Sequence, residues 1–176
     1  MAKVEVPFTA HFERFCEALG SGGSLLVSLD AQGRPNAMTI GWALLGITWR
    51  LPICAVFVRP SRYTWGCLEA TGDFTVNVPT PALADDVLFC GTESGRDYSK
   101  FEECGFTASP GQQVKSPGIA ECWLTLECEV VQRTDTVPEH FPQRIIERAY
   151  PSGDFHRVYF GEILACYADL EALAQG

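Results

Sequence analysis

The chain has 176 residues, about the length of one domain, and 47% of them are apolar whereas only 20% are charged. Its net charge of −9 excludes non-specific binding to nucleic acid, because an acidic chain repels the phosphate backbone. The charged fraction is below the roughly 25% of an average domain, which favours burial of part of the surface against another chain. We therefore predict a single domain over residues 1–176 and an oligomer.

The hydrophobic pattern predicts strands with several helices between them and no regular β-α-β alternation. In chain order it predicts a helix at 9–19, strands at 24–30, 36–45 and 53–59, a helix at 61–72, a strand at 73–79, a helix at 81–89, a helical turn near 97–104, and strands at 120–130 and 155–167. The Asp30–Gly33 segment is typical of a hairpin turn. Together these elements predict an α+β fold, mostly β, with peripheral helices on an antiparallel barrel.

Some elements carry finer expectations. The predicted apolar face of helix 9–19 consists of Phe12, Phe15, Cys16 and Leu19. The clearest strand alternation puts one set of side chains on a single face: Ala120, Cys122, Leu124, Leu126, Cys128 and Val130. In the last strand Gly161 predicts a β-bulge, and the Gly-, Ser- and Pro-rich segment 91–118 predicts an ordered functional loop.

Several classes of protein are disfavoured by the motifs that the sequence lacks. The eight cysteines include no C-x-x-C pair, so neither a zinc ribbon nor a thioredoxin-like centre is predicted. With no secretory signal and no run of about eighteen apolar residues, we expect a cytoplasmic protein with reduced thiols and no membrane contact. Without G-x-S-x-G, H-E-x-x-H or a metal-ligand spacing, a hydrolase is disfavoured and no metal site is predicted.

The segment RPSRYT at 59–64 is the strongest candidate for a ligand site. It lies where a predicted buried strand runs into the start of a helix, whose unpaired N–H groups and dipole suit a phosphate. Arg62 would add a forked set of donors, and Ser61 and Thr64 would add hydroxyl groups. In the alternative interpretation Ser61 caps the helix and the arginines are solvated surface residues.

Two further segments could complete such a site. A planar aromatic ligand could lie along 36–42 with Thr39 as a side-chain donor, or the segment could be an ordinary hairpin strand. In segment 90–101 two glycines permit close approach of the backbone to a ligand, and Lys100 could meet a phosphate. Cys90 is either a thiol near a redox centre or a structural cysteine, and His156 in the last strand is more readily explained as structural.

Taken together, these segments resemble the flavin reductase-like family of FMN-binding split barrels, with the flavoredoxin branch the most similar. The resemblance extends from about residue 24 to residue 167. It depends on three segments in the order and spacing of the family: GRPNAMTIGW at 33–42, RPSRYTWGCLEATGDFTVNVP at 59–79 and CGTESGRDYSKF at 90–101. Weaker similarity comes from LTLECEV at 124–130 and H-x-x-x-F-G-E-I-L at 156–164.

This resemblance implies a six-stranded antiparallel split β-barrel and a homodimer with FMN near the subunit interface. By position, the residues that would border the isoalloxazine ring are Asn36, Met38 and Thr39. Those that would hold the phosphate and ribityl groups are Ser61, Arg62, Tyr63 and Thr64. The pocket would be completed, in part from the partner chain, by Asn77, Cys90, Gly91, Ser94, Gly95 and Lys100.

The resemblance also implies an FMN-dependent oxidoreductase that passes electrons from NAD(P)H or a partner protein to an acceptor. Short-chain flavin reductases often carry a Gly-Asp-His motif, linked to nicotinamide use, whereas the segment 153–156 here has one residue inserted before His156. This departure favours an FMN electron-transfer protein without its own NAD(P)H site; a further alternative is a non-catalytic flavin-binding protein. His156 could still face the flavin, and the long segment 135–152 is expected to cover part of the site.

Overall fold

The computed structural model describes residues 3–174, so the outermost two residues at each end of the predicted 1–176 domain lie outside it. The strands are β1 (Val4–Glu5), β2 (Ser24–Leu29), β3 (Pro35–Ile40), β4 (Ala43–Thr48), β5 (Leu51–Val58), β6 (Asp73–Val78), β7 (Ala108–Ser109), β8 (Gly118–Ile119), β9 (Leu124–Asp135) and β10 (Arg157–Ala168). The helices are α1 (Phe12–Ser21), α2 (Tyr63–Thr71), α3 (Ala84–Thr92), α4 (Lys100–Glu103), α5 (Gln143–Ala149) and α6 (Leu170–Ala174). Among these described helices, none is long and apolar enough to cross a bilayer.

One antiparallel sheet organises the molecule in the order β3-β2-β6-β9-β10-β5-β4, with β1 paired to β10. Strands β3 and β4 lie at opposite ends of this order, although only Gly41 and Trp42 separate them in sequence. The sheet must therefore curl until its two edges come close together. The predicted α+β, mostly β, barrel architecture is confirmed.

The predicted number of six strands is wrong, because this sheet contains eight. The predicted strand 36–45 is two strands, since the chain leaves the sheet at Gly41 and Trp42, and the two-residue β1 is added at β10. A separate two-stranded ladder is formed by β7, inside the predicted loop 91–118, and β8, which begins at the last residue of that loop. Each of the six predicted strand segments does contain a strand.

The main hydrophobic core combines side chains from several strands. Leu26, Val56, Phe74 and Leu126 come from four strands and are fully buried in one cluster. A Cβ at Gly161 would lie 2.5 Å from the ring of Phe74, so glycine lets β10 approach this core.

The predicted bulge is confirmed, because the register of β10 against β9 shifts between Phe160 and Gly161. The same ladder continues to Asp135, which makes β9 longer than the predicted strand 120–130 at its far end. At its near end the strand begins only at Leu124, because the preceding residues form a turn in which the Cys122 N–H donates to the carbonyl of Ile119 at 3.2 Å.

The predicted alternation in this strand does not separate buried from exposed residues. Both faces of β9 are buried near its start, where Thr125 and Glu127 are only 4% and 3% exposed. The loop that contains β7 and β8 covers the polar face, and its Gln112 and Gln113 N–H groups donate to the Glu127 carboxylate at 3.0 and 2.7 Å. Ala120, by contrast, is exposed in the turn.

Helix α1 also differs from its prediction. It begins at Phe12, after a turn in which the Ala10 N–H donates to the carbonyl of Pro7 at 2.9 Å. Of the predicted apolar face, Phe15 is buried and Leu19 packs partly against the core, whereas Phe12 and Cys16 are exposed. The helix therefore contacts the core along a narrower stripe than its sequence predicts.

Candidate functional site

Two adjoining clefts open where β3, the start of α2 and the chain after α3 meet. The first, which we call the polar cleft, has a volume of about 160 Å³, and the second, the aromatic cleft, about 210 Å³. They share Met38, Arg62 and Gly91. Each cleft is smaller than the roughly 300–1,000 Å³ of a typical ligand pocket, but the two joined reach that range. An elongated ligand would therefore occupy both.

The two clefts differ in the residues that line them. The polar cleft is lined mainly by hydrophilic residues: Asn36, Ala37, Met38, Ser61, Arg62, Tyr63, Thr64, Cys90, Gly91, Thr92, Glu93, Ser94, Gly95, Arg96 and Lys100. The aromatic cleft is lined by Met38, Thr39, Ile40, Gly41, Trp42, Phe57, Arg59, Arg62, Gly91 and His156. Apart from Asn77, each binding residue predicted from the sequence lines one of these clefts.

The start of α2 forms one wall of the polar cleft. Arg62 is the N-cap residue, with an extended backbone at φ −76° and ψ 142°. The first N–H groups of an α-helix have no intrahelical acceptor, and they carry the positive end of the helix dipole. Ser61 is not the cap, because its hydroxyl donates to Asp154 Oδ2 at 2.6 Å. This wall can therefore bind an anion through backbone N–H groups and the exposed Arg62 side chain.

A second arginine, Arg96, reaches the same wall. Its Nη1 donates to the carbonyl of Ser61 at 3.1 Å, and its guanidinium lies 5.8 Å from the centroid of the Tyr63 ring. Sequence reasoning missed Arg96, although it directly follows the predicted Gly95 in a segment that carried the family resemblance. The structure thus brings two guanidinium groups to the polar cleft.

Gly95 brings the opposite wall of the cleft against β3 and α2. A Cβ at this position would overlap Oδ1 of Asn36 and lie 2.7 Å from Cδ1 of Tyr63. Asn36 in turn donates from Nδ2 to Thr64 Oγ1 at 2.9 Å, which ties β3 to the first turn of α2. The backbone, the helix start and the arginines therefore form a narrow cradle whose chemistry fits a phosphate group.

Lys100 holds the loop of the polar cleft rather than extending into solvent. Its side chain is only 1% exposed, and Nζ donates to the carbonyls of Cys90 at 3.2 Å and Glu93 at 2.7 Å. Burial lowers the pKa of Lys100. Its clearest role in the structure is to fix the backbone after α3, from which Gly91 and Gly95 line the cleft.

Thr39 does not offer the predicted side-chain donor, because its hydroxyl donates to the carbonyl of Val87 in α3. It lines the aromatic cleft without a free hydroxyl hydrogen.

Two further predicted binding residues also direct their polar groups elsewhere. The Tyr63 hydroxyl donates to Asp30 Oδ2 at 3.1 Å, so this side chain presents its ring to the polar cleft. Asn77 is fully buried in β6, where Oδ1 accepts hydrogen bonds from the Ile119 N–H at 3.0 Å and the Thr125 hydroxyl at 2.9 Å. Asn77 lines neither cleft and satisfies buried polar groups between strands.

His156 lies at the aromatic cleft, just before β10 rather than within the predicted strand. Its Nδ1 shares a hydrogen bond of 2.8 Å with the Tyr150 hydroxyl, and its ring centroid lies 4.7 Å from that of Trp42. Burial, assisted by the charges of Arg59 and Arg62, lowers the pKa of His156 to about 4. The imidazole is therefore neutral near pH 7.

The aromatic cleft includes residues that sequence reasoning did not select. Trp42 and Phe57 line it, and Tyr150, directly after α5, packs behind His156. Segment 135–152 therefore contacts the wall of the site through Tyr150. The sequence shows Trp42 beside Gly41, but these two residues point to the site only when the break between β3 and β4 is known.

A sequence profile of the family described as "Flavin reductase like domain" matches residues 17–175. This chain belongs to the flavin reductase-like family. A protein of Archaeoglobus fulgidus is 34% identical over 131 residues, which cover 74% of this chain and 64% of that protein. Flavoredoxin from Methanosarcina acetivorans is 28% identical with a TM-score of 0.67, over 84% of this chain and 68% of that one. An FMN-binding domain of a flavin reductases-like enzyme from Shewanella baltica is 22% identical with a TM-score of 0.67, over 97% and 78%.

The clefts of this flavin reductase-like chain are built from the segments that carried the family resemblance. Segment 33–42 supplies β3 and Trp42, the beginning of segment 59–79 supplies the start of α2, and segment 90–101 supplies the facing loop. Three stretches that are distant in sequence therefore meet at one place.

Proposed function

We propose that this protein is a cytoplasmic FMN-binding oxidoreductase that moves electrons through the bound flavin. The observation that carries the proposal is the polar cleft, where the start of α2, Arg62 and Arg96 face the backbone at Gly95. The FMN phosphate would be held there, and the ring would be bordered by Met38 and Thr39 towards the aromatic cleft. FMN, when bound, supplies the redox chemistry, so no acid or base of the protein is obligatory.

The aromatic cleft would orient the flavin ring and limit the access of water to it. Trp42 and Phe57 provide apolar surface, and the rings of Trp42 and His156 are close neighbours. Since His156 is neutral near pH 7, it contributes shape and a polar ring nitrogen rather than a positive charge. The arrangement suits a ring site bordered by aromatic side chains, with Arg59 and Arg62 at its edge, next to a phosphate site formed by the start of α2 and two arginines.

The electron donor distinguishes two versions of this function: NAD(P)H in a reductase, or a redox partner protein in an electron carrier. The segment before His156 favours the carrier. Gly153 and Asp154 adopt left-handed backbone conformations, at φ 76° and 58°. The inserted Phe155 stacks on Tyr150 at 4.5 Å between ring centroids. The position next to His156 is therefore filled by aromatic side chains of the protein itself.

The first experiment is the absorption spectrum of the purified protein, followed by chromatography of any flavin released by heat. The proposal expects a yellow protein that releases FMN rather than FAD, because the clefts offer one phosphate cradle and the sequence has no dinucleotide motif. A colourless protein that takes up no added FMN would contradict both versions. Anaerobic stopped-flow mixing then separates them: bleaching by NADH or NADPH within seconds supports the reductase, and its absence supports the carrier.

We further propose that the protein is a homodimer and that β4 contributes to the contact surface. Leu44 and Ile47 of this edge strand are 63% and 66% exposed, and the flanking Trp42 and Trp49 are 44% and 57% exposed. Large apolar residues grouped on an edge strand are typical of a protein–protein contact. Sedimentation should give about twice the chain mass of 19.3 kDa, and Ile47→Asp should shift the protein towards monomer. A clean monomer that still binds FMN would contradict the dimer alone.

A further inference from the structure

Two cysteine thiols lie close together beside the polar cleft. Cys90 belongs to α3 and lines the cleft, and Cys104 directly follows α4. Their Sγ atoms are 3.9 Å apart, and both thiols are free. Cys90 is buried whereas Cys104 is partly exposed. The pair therefore connects the wall of the cleft to a cysteine that is partly exposed to solvent.

A second pair of cysteines provides a contrast. Cys54 and Cys128 also interact through their thiols, but both are fully buried in the main core. A dissolved oxidant cannot reach them without opening the barrel. Cys90 and Cys104 differ from this pair, because they are neighbouring thiols of which one, Cys104, is partly exposed to solvent.

We propose that Cys90 and Cys104 form a two-electron redox site that a hydroperoxide oxidises to an intramolecular disulfide. The Cys104 sulfur attacks the peroxide, so that an S–O bond forms, the O–O bond breaks and water or an alcohol leaves with the thiol proton. The Cys90 sulfur then attacks the Cys104 sulfur, the S–S bond forms, the S–O bond breaks and a water molecule leaves. The dithiol loses two electrons and two protons, and the peroxide gains both.

The surroundings of the pair make this reaction slow, because the thiolate is the form that attacks a peroxide. Burial is the main reason that the pKa of Cys90 rises to about 12, and burial also raises the pKa of Cys104. The charge of Lys100 acts in the opposite direction on both thiols. Both residues therefore rest as thiols at neutral pH, and the less buried Cys104 is the better placed to attack.

Disulfide formation would change the polar cleft. An S–S bond is about 2.05 Å long, so the two sulfurs must approach by nearly half of their 3.9 Å separation. This draws α4 towards α3 and disturbs Lys100, which joins α4 to the carbonyls of Cys90 and Glu93. The coupling rests on the proposed FMN function: we expect the disulfide form to bind FMN about tenfold more weakly. By linkage, FMN would then raise the reduction potential of the pair by about 30 mV.

Peptide mapping tests the redox site without flavin. The Cys16→Ser protein, which lacks the exposed thiol of α1, is treated with hydrogen peroxide, alkylated and digested with trypsin. Cys90 then lies in peptide 63–96 and Cys104 in peptide 101–115. We expect these two peptides to be joined by a disulfide that dithiothreitol releases.

Peptide 63–96 also contains Cys67, so two matched variants identify the sulfur involved. Cys67→Ser should keep the link, and Cys90→Ser should abolish it. If either variant fails to fold, the peptide map of the Cys16→Ser protein, which keeps both Cys90 and Cys104, still tests the proposal. Two results would overturn the redox site: Cys104 oxidised to its sulfenic or sulfinic acid without joined peptides, or both thiols still open to alkylation after peroxide treatment.

Titration of the dithiol and disulfide forms with FMN tests the coupling. Equal affinities would overturn the coupling while the redox site stands. Failure of both forms to bind FMN would contradict the proposed function together with the coupling, and the cross-linked peptides would still report on the thiol pair. A weaker affinity of the disulfide form, restored by dithiothreitol, supports the whole proposal.

Discussion

The two halves of the candidate flavin site are built in different ways. The polar cleft is assembled from short continuous segments, chiefly 61–64 and 90–100, that face each other across Asn36. The aromatic cleft takes Trp42, Phe57 and His156 from the ends of separate elements. One half recognises charge through N–H groups and arginines, and the other recognises the shape of a ring. The phosphate and the ring of FMN can therefore be tested separately.

Riboflavin, which has the ring of FMN but no phosphate, is the natural probe for this comparison. Hydrogen bonds to charged groups contribute roughly 1.5–3 kcal/mol, whereas aromatic contacts contribute about 0.5–1.5 kcal/mol beyond their buried area. Changes in the polar cleft should therefore lower the affinity for FMN strongly and for riboflavin little. Changes in the aromatic cleft should lower both affinities equally and by less.

The largest effect is expected for Gly95→Ala. The added Cβ would overlap Asn36 Oδ1 and press on the Tyr63 ring, so the loop must move away from the start of α2. Since this separates several phosphate donors at once, the FMN affinity should fall by about a hundredfold or more, measured by quenching of flavin fluorescence.

Gly20→Ala is the matched control for this change. A Cβ at Gly20 has nothing within 4 Å, and the residue lies in α1, where alanine is favoured over glycine. Its FMN affinity should equal that of the wild type. If Gly95→Ala bound FMN as well as Gly20→Ala, the close approach of the two walls would have no role in binding.

Arg62→Ala is expected to have the next largest effect. Arg62 lines both clefts, and its guanidinium can form charge-assisted hydrogen bonds to a phosphate. Loss of roughly 1.5–3 kcal/mol lowers FMN affinity about ten- to a hundredfold, while riboflavin should bind almost as before. Isothermal titration with both ligands measures the contrast.

Arg133→Ala removes a guanidinium that pairs with Glu69 and lines neither cleft. It should leave both affinities unchanged. An equal loss of riboflavin and FMN affinity in Arg62→Ala would indicate damage to the pocket instead of phosphate recognition. In that case Arg96, which lines the polar cleft, becomes the candidate for the phosphate contact.

The same contrast explains which parts of the site the sequence predicts. The chemistry of the polar cleft is local: a strand, a turn and a helix start follow one another in 59–64, so the segment alone indicates an anion site. A local segment does not reveal the roles of Trp42 and Phe57, because their positions depend on the break between β3 and β4 and on the closure of the sheet. Hydrophobic periodicity does not reveal either of these.

Tertiary burial also overrides the local pattern elsewhere in the molecule. Asn77 matches a family position by sequence, yet β6 is buried on both faces and its amide is used between strands. The alternating pattern predicts that Glu127 faces solvent, but a loop covers it and two backbone N–H groups of that loop donate to its carboxylate. The positions of strands follow from sequence pattern, whereas the covering of their faces depends on distant segments.

Trp42→Ala tests the aromatic half and should have a smaller effect. It removes ring contacts with His156 and Phe57, at 4.7 and 6.4 Å between centroids. Affinities for FMN and riboflavin should both fall about two- to tenfold. Trp49→Ala, which removes an exposed tryptophan at the other end of β4, is the matched control for effects on a dimer contact and should change neither. A loss confined to FMN would contradict the division between the two clefts.

The smallest effect concerns His156 and the pH dependence of stability. Its pKa is about 4 in the folded protein and about 6.5 in the unfolded chain, so the unfolded state binds more protons between these values. The free energy of unfolding should therefore fall as the pH falls from about 7 to about 5, by on the order of 1 kcal/mol. Urea unfolding at both pH values measures this change.

His156→Gln isolates this contribution, because glutamine does not titrate and can still hydrogen-bond to Tyr150. His11 and His140 are present in both proteins, so their effects cancel in the comparison. The pH range also avoids the carboxylates with lowered pKa, such as Asp30, whose stabilising effect is lost only as the pH falls below about 4. The variant should lose less stability than the wild type on acidification. Equal losses of stability would mean that the pKa of His156 is not lowered in the folded protein. The aromatic cleft would then gain a positive charge in mild acid, contrary to the neutral imidazole that its burial implies.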